Sequence, residues 1–201
     1  MLKLMNLKSK ILKGRHVRLE PITEDHKQEM RGAIDCDPDA WEIMSVNGCG
    51  EGFEEWWASA ISGATSRGER IVYAIRQIED GRVVGTSSFM NLRPAHKGLE
   101  IGSTFLHPSV RAGPVNPESK LLMLSHAFKA GVIRVEFMID IRNARSQAAV
   151  LKLGAEKEGV LRSHKITWTG YVRDTAVFSI TDYDWPAVRE RLEYRLAEDF
   201  V

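Results

Sequence analysis

Three strand-like stretches follow one another between residues 69 and 106, joined by connections too short to hold a helix. Glu69 to Ile78 and Arg82 to Asn91 are rich in β-branched residues and flank Asp80-Gly81, a pair suited to a tight hairpin turn. Leu99 to Leu106 forms a third strand after the turn-like Pro94-Ala95-His96-Lys97-Gly98. A parallel crossover needs a dozen residues or more, so these neighbours pair antiparallel. The middle of the chain is therefore the opposite of an alternating βαβα array.

The flanking segments fill in the layers. Arg15 to Glu20 alternates polar and apolar residues, as a half-buried strand does, and Pro21 closes it. Thr23 can cap a helix over Glu24 to Ala33. Asp35 to Gly52 reads as a loop with one helical turn at Trp41 to Met44, and a helix from Phe53 to Ala64 carries Phe53, Trp56, Trp57, Ala60 and Ile61 on one face. Asn116, Pro117 and Glu118 supply an N-cap, a proline at the first helical position and an acid in the first turn, for a helix that ends at Gly131. Ile133 to Ile141 is again a strand, followed by Asn143 as cap and a helix closed by Gly154. Two last strands, Lys157 to Trp168 and Tyr171 to Ile180, meet at Thr169-Gly170, and Trp185, Val188, Leu192 and Leu196 mark a terminal amphipathic helix. The expected class is α/β (α+β): a mixed, mostly antiparallel twisted sheet of about seven strands with helices on both faces. One domain over residues 14–181 is expected, with a basic leader over 1–13 and the helix of 182–201 packed on that domain.

Composition excludes several alternatives. With 28 Lys+Arg against 27 Asp+Glu there is no polycationic excess, so a nucleic-acid partner is not expected despite the basic leader from Lys3 to Arg18. Cys36 and Cys49 have no His or Cys at metal-ligand spacing, which signals neither a metal site nor a disulfide framework and suits the cytoplasm. No apolar run approaches the length of a membrane span.

The piece from Phe105 to Asn116 is a strand, a tight loop and a helix start. Such a junction aims free backbone N–H groups and a helix dipole at one spot, which suits a phosphate or leaves the N–H groups to water. Glu100-Ile101-Gly102, Val115-Asn116-Pro117-Glu118-Ser119-Lys120, Arg142-Asn143-Ala144-Arg145-Ser146, Leu153-Gly154-Ala155 and Glu158-Gly159-Val160-Leu161-Arg162 occur in this order. Over residues 14 to 181 the chain thereby resembles the ribosomal-protein N-terminal acetyltransferase (RimJ/RimL) branch of the GNAT superfamily.

The resemblance implies a GNAT fold and acyl transfer from acetyl-CoA, or another acyl-CoA, to a primary amine by direct attack in a ternary complex. It places the pyrophosphate on the loop Arg111, Ala112, Gly113, Pro114, Val115 and Asn116, with Pro114 where the family has a glycine and Gly113 available for the turn. It places the pantetheine arm at Asn143 and the thiol near Ser146; read without the resemblance, both residues equally serve as helix caps. Glu100 is the candidate general base, or else an outward-facing strand charge, and a backbone N–H near Leu106 the oxyanion donor. The tyrosine that many relatives use as general acid is replaced by Val150, which leaves Ser146 as the candidate proton donor. His164, Asp174, Trp56, Trp57, Arg93 and His96 are acceptor-side candidates, with at least one tryptophan expected in the core. The acceptor is a small-molecule amine or a protein N-terminus, and a homodimer is compatible with the terminal helix and exposed strands. The competing reading is a degenerate GNAT domain that binds acyl-CoA or a protein partner without turnover.

Overall fold

The run Ile71-Val72-Tyr73-Ala74-Ile75 is apolar on both pleat faces, and it lies inside the sheet with every one of these residues buried. The structure, a computed structural model, describes residues 5–65 and 70–198. Met1 to Leu4 of the expected leader, Glu69 at the expected strand start and the last residues of the terminal segment lie outside the described residues.

Among the described residues, eight strands form one sheet: β1 (Leu12–Lys13), β2 (Val17–Pro21), β3 (Ile71–Gln77), β4 (Val83–Arg93), β5 (Gly98–Leu106), β6 (Arg134–Asp140), β7 (Glu156–Ile166) and β8 (Val172–Thr181). Their order is β1-β2-β3-β4-β5-β6-β8-β7, and β5 with β6 is the parallel pair in an otherwise antiparallel sheet. The two-residue β1, inside the leader, is the strand that residue patterning does not reveal. The helices are α1 (Lys27–Ile34), α2 (Phe53–Thr65), α3 (Val115–Lys129), α4 (Ala144–Leu153) and α5 (Trp185–Glu198).

Alternation sorts the core into two layers. Tyr73, Ile75, Leu99, Ile101 and Phe137 face α3, α4 and α5 through Met123, Leu124, Val150, Leu153, Val188 and Leu192. Val72, Ala74 and Phe105 face α1 and α2 through Met30, Ile34, Phe53, Trp56 and Trp57. Leu99, Ile101 and Phe105 are all odd-numbered, yet Phe105 lies on the opposite face from the other two. The cause is a bulge: Ser88 pairs with Gly102 and Thr86 with Phe105, so Ser103 and Thr104 oppose Ser87 alone. Ser103 takes φ 47°, and the extra residue inverts the pleat beyond it.

Local chemistry differs from the patterned expectation at two helix starts. Glu24–His26 is a 3-10 turn that precedes α1, fixed by His26 Nδ1 within 3.1 Å of the Thr23 N–H. α3 begins one residue before Asn116, with Pro114 in the cap position, so Asn116 lies in the first turn instead of capping it. Glu118 accepts the N–H groups of Arg15, His16 and Val17, each at 2.7 Å, and so ties α3 to β2. The expected stops at Gly131 and Gly154 and the turn at Gly170 are all present, each with positive φ.

Candidate active site

β5 and β6 are registered at Gly98↔Arg134, Leu99↔Val135 and Glu100↔Glu136, and at no further pair. Beyond Glu100 the two strands diverge, opening a gap toward their carboxyl ends. Open sheets containing parallel strands bind ligands in such crevices. The β5 side leads into the Arg111 to Asn116 loop and α3, and the β6 side into Asn143 and α4.

The backbone on the β5 side is prepared for an anion. His107 N–H donates to Val84 O at 2.8 Å, so antiparallel alternation turns the N–H and C=O of Leu106 away from β4, toward the gap. The Leu106 carbonyl indeed accepts Arg111 Nε at 2.9 Å. The N–H groups of Ala112, Gly113, Val115 and Asn116 take no backbone partner among the described residues. Together with the α3 dipole they form a cradle that fits a pyrophosphate. The turn within this loop is made by Ala112, at φ 65°, and not by Gly113, which has no positive φ. Pro114, at φ −72°, fits where it stands. Arg111 is spent inside the protein: its Nη1 pairs with Asp37 Oδ2 at 2.5 Å, and its guanidinium lies 5.6 Å from the centre of the Phe105 ring.

On the β6 side Asn143 caps α4, its Oδ1 accepting the Ser146 N–H at 3.0 Å. That leaves its Nδ2 as a donor at the mouth of the gap. Ser146 is half-buried on the first turn. Val150 is 5% exposed and packs in the core, one turn below the gap.

The α1 and α2 side of the sheet carries a cleft of about 530 Å³. Glu100 lines it and is 5% exposed, so it is not an outward-facing strand charge. A second bulge sets its position: Met90 pairs with Glu100 and Arg93 with Gly98, so Asn91 and Leu92 oppose Leu99 alone. A Cβ on Gly102 would come within 2.8 Å of Glu100 Oε1, so the bare glycine gives the carboxylate its room. Burial pushes the Glu100 carboxyl up from the usual carboxylate range, while Lys165, the Asn91 hydrogen bond and Arg173 pull it down, with the net shift upward.

Trp41, Trp56, Phe105 and Trp168 make the apolar walls. Trp41 stacks on Phe105 at 5.2 Å, and Trp168 Nε1 donates to the Trp41 carbonyl at 2.8 Å. Trp56 lines the cleft, whereas Trp57 is core, its Nε1 bonded to Glu24.

The other acceptor-side candidates lie elsewhere. Arg93 pairs with Glu136 at 2.6 Å, His96 sits in the 3-10 turn before β5, and Asp174 accepts the Ser163 N–H at 2.7 Å. His164 Nδ1 lies 3.1 Å from Thr175 Oγ1. In their place Lys165 and Arg173, each next in sequence to one of those residues, line the cleft with Arg70. Arg173 lies an odd number of residues from Ala176 and Phe178, which face the α3 layer, so it faces the cleft together with its β7 partner Lys165, a parity that is legible only once the face covered by α3 is known. Among the described residues no group of three or more His, Cys, Asp or Glu could hold a metal ion, and no helix is long and apolar enough to cross a membrane.

The family model of the acetyltransferase (GNAT) domain matches residues 16–156. YoaA, an uncharacterised N-acetyltransferase of Bacillus subtilis (strain 168), is 32% identical over 111 residues, which are 55% of this chain and 62% of that protein. The chain thus spans less than two thirds of that relative's length. A GCN5-related N-acetyltransferase from Brucella melitensis superposes with a TM-score of 0.85 at 29% identity, covering 96% of this chain and 87% of that one. RimJ of Mycobacterium smegmatis, solved in complex with CoA-disulfide, shares the fold with a TM-score of 0.80 at 20% identity, over 92% of this chain and 94% of that one.

Proposed function

The chain belongs to the acetyltransferase (GNAT) domain family, and from that premise we propose that it is an N-acetyltransferase that moves an acetyl group from acetyl-CoA to a primary amine. The observation that carries this reading is the divergence of β5 and β6 beyond Glu100, flanked on one side by the unpaired N–H groups of residues 112, 113, 115 and 116 and on the other by Asn143.

In this reading the N–H cradle holds the pyrophosphate and Asn143 Nδ2 the pantetheine arm. Bound acetyl-CoA supplies an activated thioester carbonyl. Glu100 takes a proton from the acceptor amine, and its raised pKa brings it nearer to the working pH of a base than an ordinary carboxylate. The Leu106 N–H donates to the carbonyl oxygen as negative charge develops there. Ser146 donates a proton to the departing sulfur as it takes one from solvent, and the sulfur needs little help because a thiol of ordinary pKa near ~8.5 is a good leaving group. The acceptor, a small-molecule amine or a protein N-terminus, enters from the aromatic cleft and reacts without a covalent enzyme intermediate. The cytoplasm, where acetyl-CoA is made and used, is the compartment that fits this reaction.

One observation favours a binding domain without turnover: the position used for a tyrosine acid by many relatives holds Val150, buried in the core. Calorimetric titration with acetyl-CoA, with desulfo-CoA as the control lacking a thiol, tests the proposal. Saturable micromolar binding followed by amine-dependent thiol release supports it. Binding without release from any amine selects the binding domain, and absence of binding up to millimolar overturns the acyltransfer reading and favours a degenerate domain that acts through a protein partner.

A further inference from the structure

The cleft beside Glu100 holds more positive charge than its own carboxylates balance. Arg70, Lys165 and Arg173 line it, against Glu100 and the exposed Glu55. Lys165 and Arg173 are registered directly opposite one another on β7 and β8, a placement of like charges that destabilises a strand pair unless an anion lies between them. Arg173 is 6% exposed, and its hydrogen bonds go to neutral groups: Nε to Thr175 Oγ1 at 3.0 Å, Nη1 to Ser45 Oγ at 3.3 Å and Nη2 to Met138 O at 3.0 Å. Of the carboxylates whose charge reaches Arg173, Asp140 is bonded by Arg142 and Glu100 by Asn91, and neither forms an ion pair with Arg173. Arg70 donates Nη2 to Ser88 Oγ at 3.0 Å, while its Nε has no partner among the described residues. Trp41 Nε1, on the same cleft, is a second buried donor without a partner among the described residues. Buried charges and donors are ordinarily paired, so this arrangement is complete only with an anion bound.

We propose that the acceptor is an amine that also carries a carboxylate, an amino-acid-like molecule held through that carboxylate by Arg173, Lys165 and Arg70 with its amino group toward Glu100. Its apolar body lies among Trp41, Trp56, Phe105 and Trp168, and the volume of about 530 Å³ suits a small molecule of that kind. The guanidinium fork matches the planar carboxylate, and Glu100 on the same cleft is left to receive the amine. This assignment rests on the acyltransfer reading, which it narrows to one class of acceptor.

The test uses the full chain and matched amines that differ only in the carboxylate: phenylalanine with phenethylamine, leucine with isopentylamine, and tryptophan with tryptamine. Thiol release from acetyl-CoA is followed at equal free-amine concentration. The expected kcat/KM favours the amino acid by about 10- to 100-fold in at least one pair, the scale of a charge-assisted hydrogen bond. Arg70→Gln and Lys165→Gln each bring that ratio toward one, and they are safer probes than Arg173→Gln, which removes a buried framework group. Equal or better turnover of the decarboxylated amine in every pair overturns the assignment, as does preference for peptide amides or for a phosphorylated amine. Calorimetry separates this failure from failure of the acyltransfer reading. Binding of N-acetylphenylalanine but not N-phenethylacetamide, lost in Arg70→Gln, supports the carboxylate site even if acetyl-CoA does not bind. Acetyl-CoA binding with no discrimination between the two amides overturns the site and leaves the acyltransfer reading standing.

Discussion

Asn91 Nδ2 donates to Glu100 Oε2 at 2.6 Å, and it does so from a bulge at φ 48°, a left-handed conformation that asparagine tolerates better than most residues. The hydrogen bond stabilises the charged carboxylate, opposing the upward push of burial. Asn91 is thus a positioning residue that also sets the proton affinity of the candidate base. Asn91→Ala is expected to shift the acidic limb of the kcat/KM against pH profile upward, because the charged form loses a donor. Activity then falls at a higher pH than in the wild type as the pH is lowered. A profile unchanged in position, with lower rates throughout, would assign Asn91 a structural role alone.

Glu100→Gln keeps the shape and the Asn91 contact but cannot accept a proton. A drop in kcat of about 10²- to 10⁴-fold is expected, the usual range for removing a general base. Acetyl-CoA affinity should stay within about twofold by calorimetry, since in this reading Glu100 faces the acceptor and a shift of ~0.4 kcal/mol is all that twofold represents.

Lys120 is 4% exposed, and its Nζ donates to Ser87 Oγ at 2.9 Å and to Thr104 Oγ1 at 2.8 Å. Burial pushes its pKa down to about 7. In the unfolded chain the amine titrates near ~10.4, so between these values the unfolded state binds the extra proton and stability rises with pH by about 1.4 kcal/mol per unit. The urea midpoint of the wild type should therefore climb from pH 7 to pH 9. Lys120→Met, which fills a similar volume without titrating, should flatten that climb.

Glu118 accepts three strand-entry N–H groups, and a Cβ on Gly14 would meet its carboxyl carbon at 2.4 Å. Glu118→Ala leaves three donors short of a partner and is expected to cost about 2–4 kcal/mol in denaturant unfolding. Gly14→Ala should destabilise in the same direction by forcing α3 and β2 apart. Indifference of stability to both changes would remove this carboxylate from the framework that holds the start of α3 against β2.

Val150→Tyr restores the residue type that many relatives use as acid, but Val150 is packed beneath α4. Overpacking should cost about 1–3 kcal/mol, with no gain in turnover. Asn143→Ala should weaken acetyl-CoA binding and remove an N-cap of about 1 kcal/mol, whereas Ser146→Ala should lower kcat with less effect on affinity. Equal, negligible effects of the last two would displace the proposed cofactor site.

The element order was legible in the sequence because periodicity, caps and turn residues are local. The hairpin at Asp80-Gly81, the stops at Gly131 and Gly154, the cap at Asn143 and the buried face of α5 all follow from the residues nearest to them. The ordered motifs, read as a resemblance, also located the strand that carries Glu100 and the loop that follows Leu106. Tertiary structure decided which way the chemistry points. Two bulges, with Ser103 and Asn91 as their left-handed residues, invert the pleat around Glu100. Because strand side chains alternate with period two, one extra residue moves every later side chain to the other face. That is why Phe105 shares the cleft with Glu100 instead of facing α3 with Leu99 and Ile101. Arg111, chosen for its place in the loop, is drawn off to Asp37, a partner 74 residues earlier in the chain that only folding brings to it.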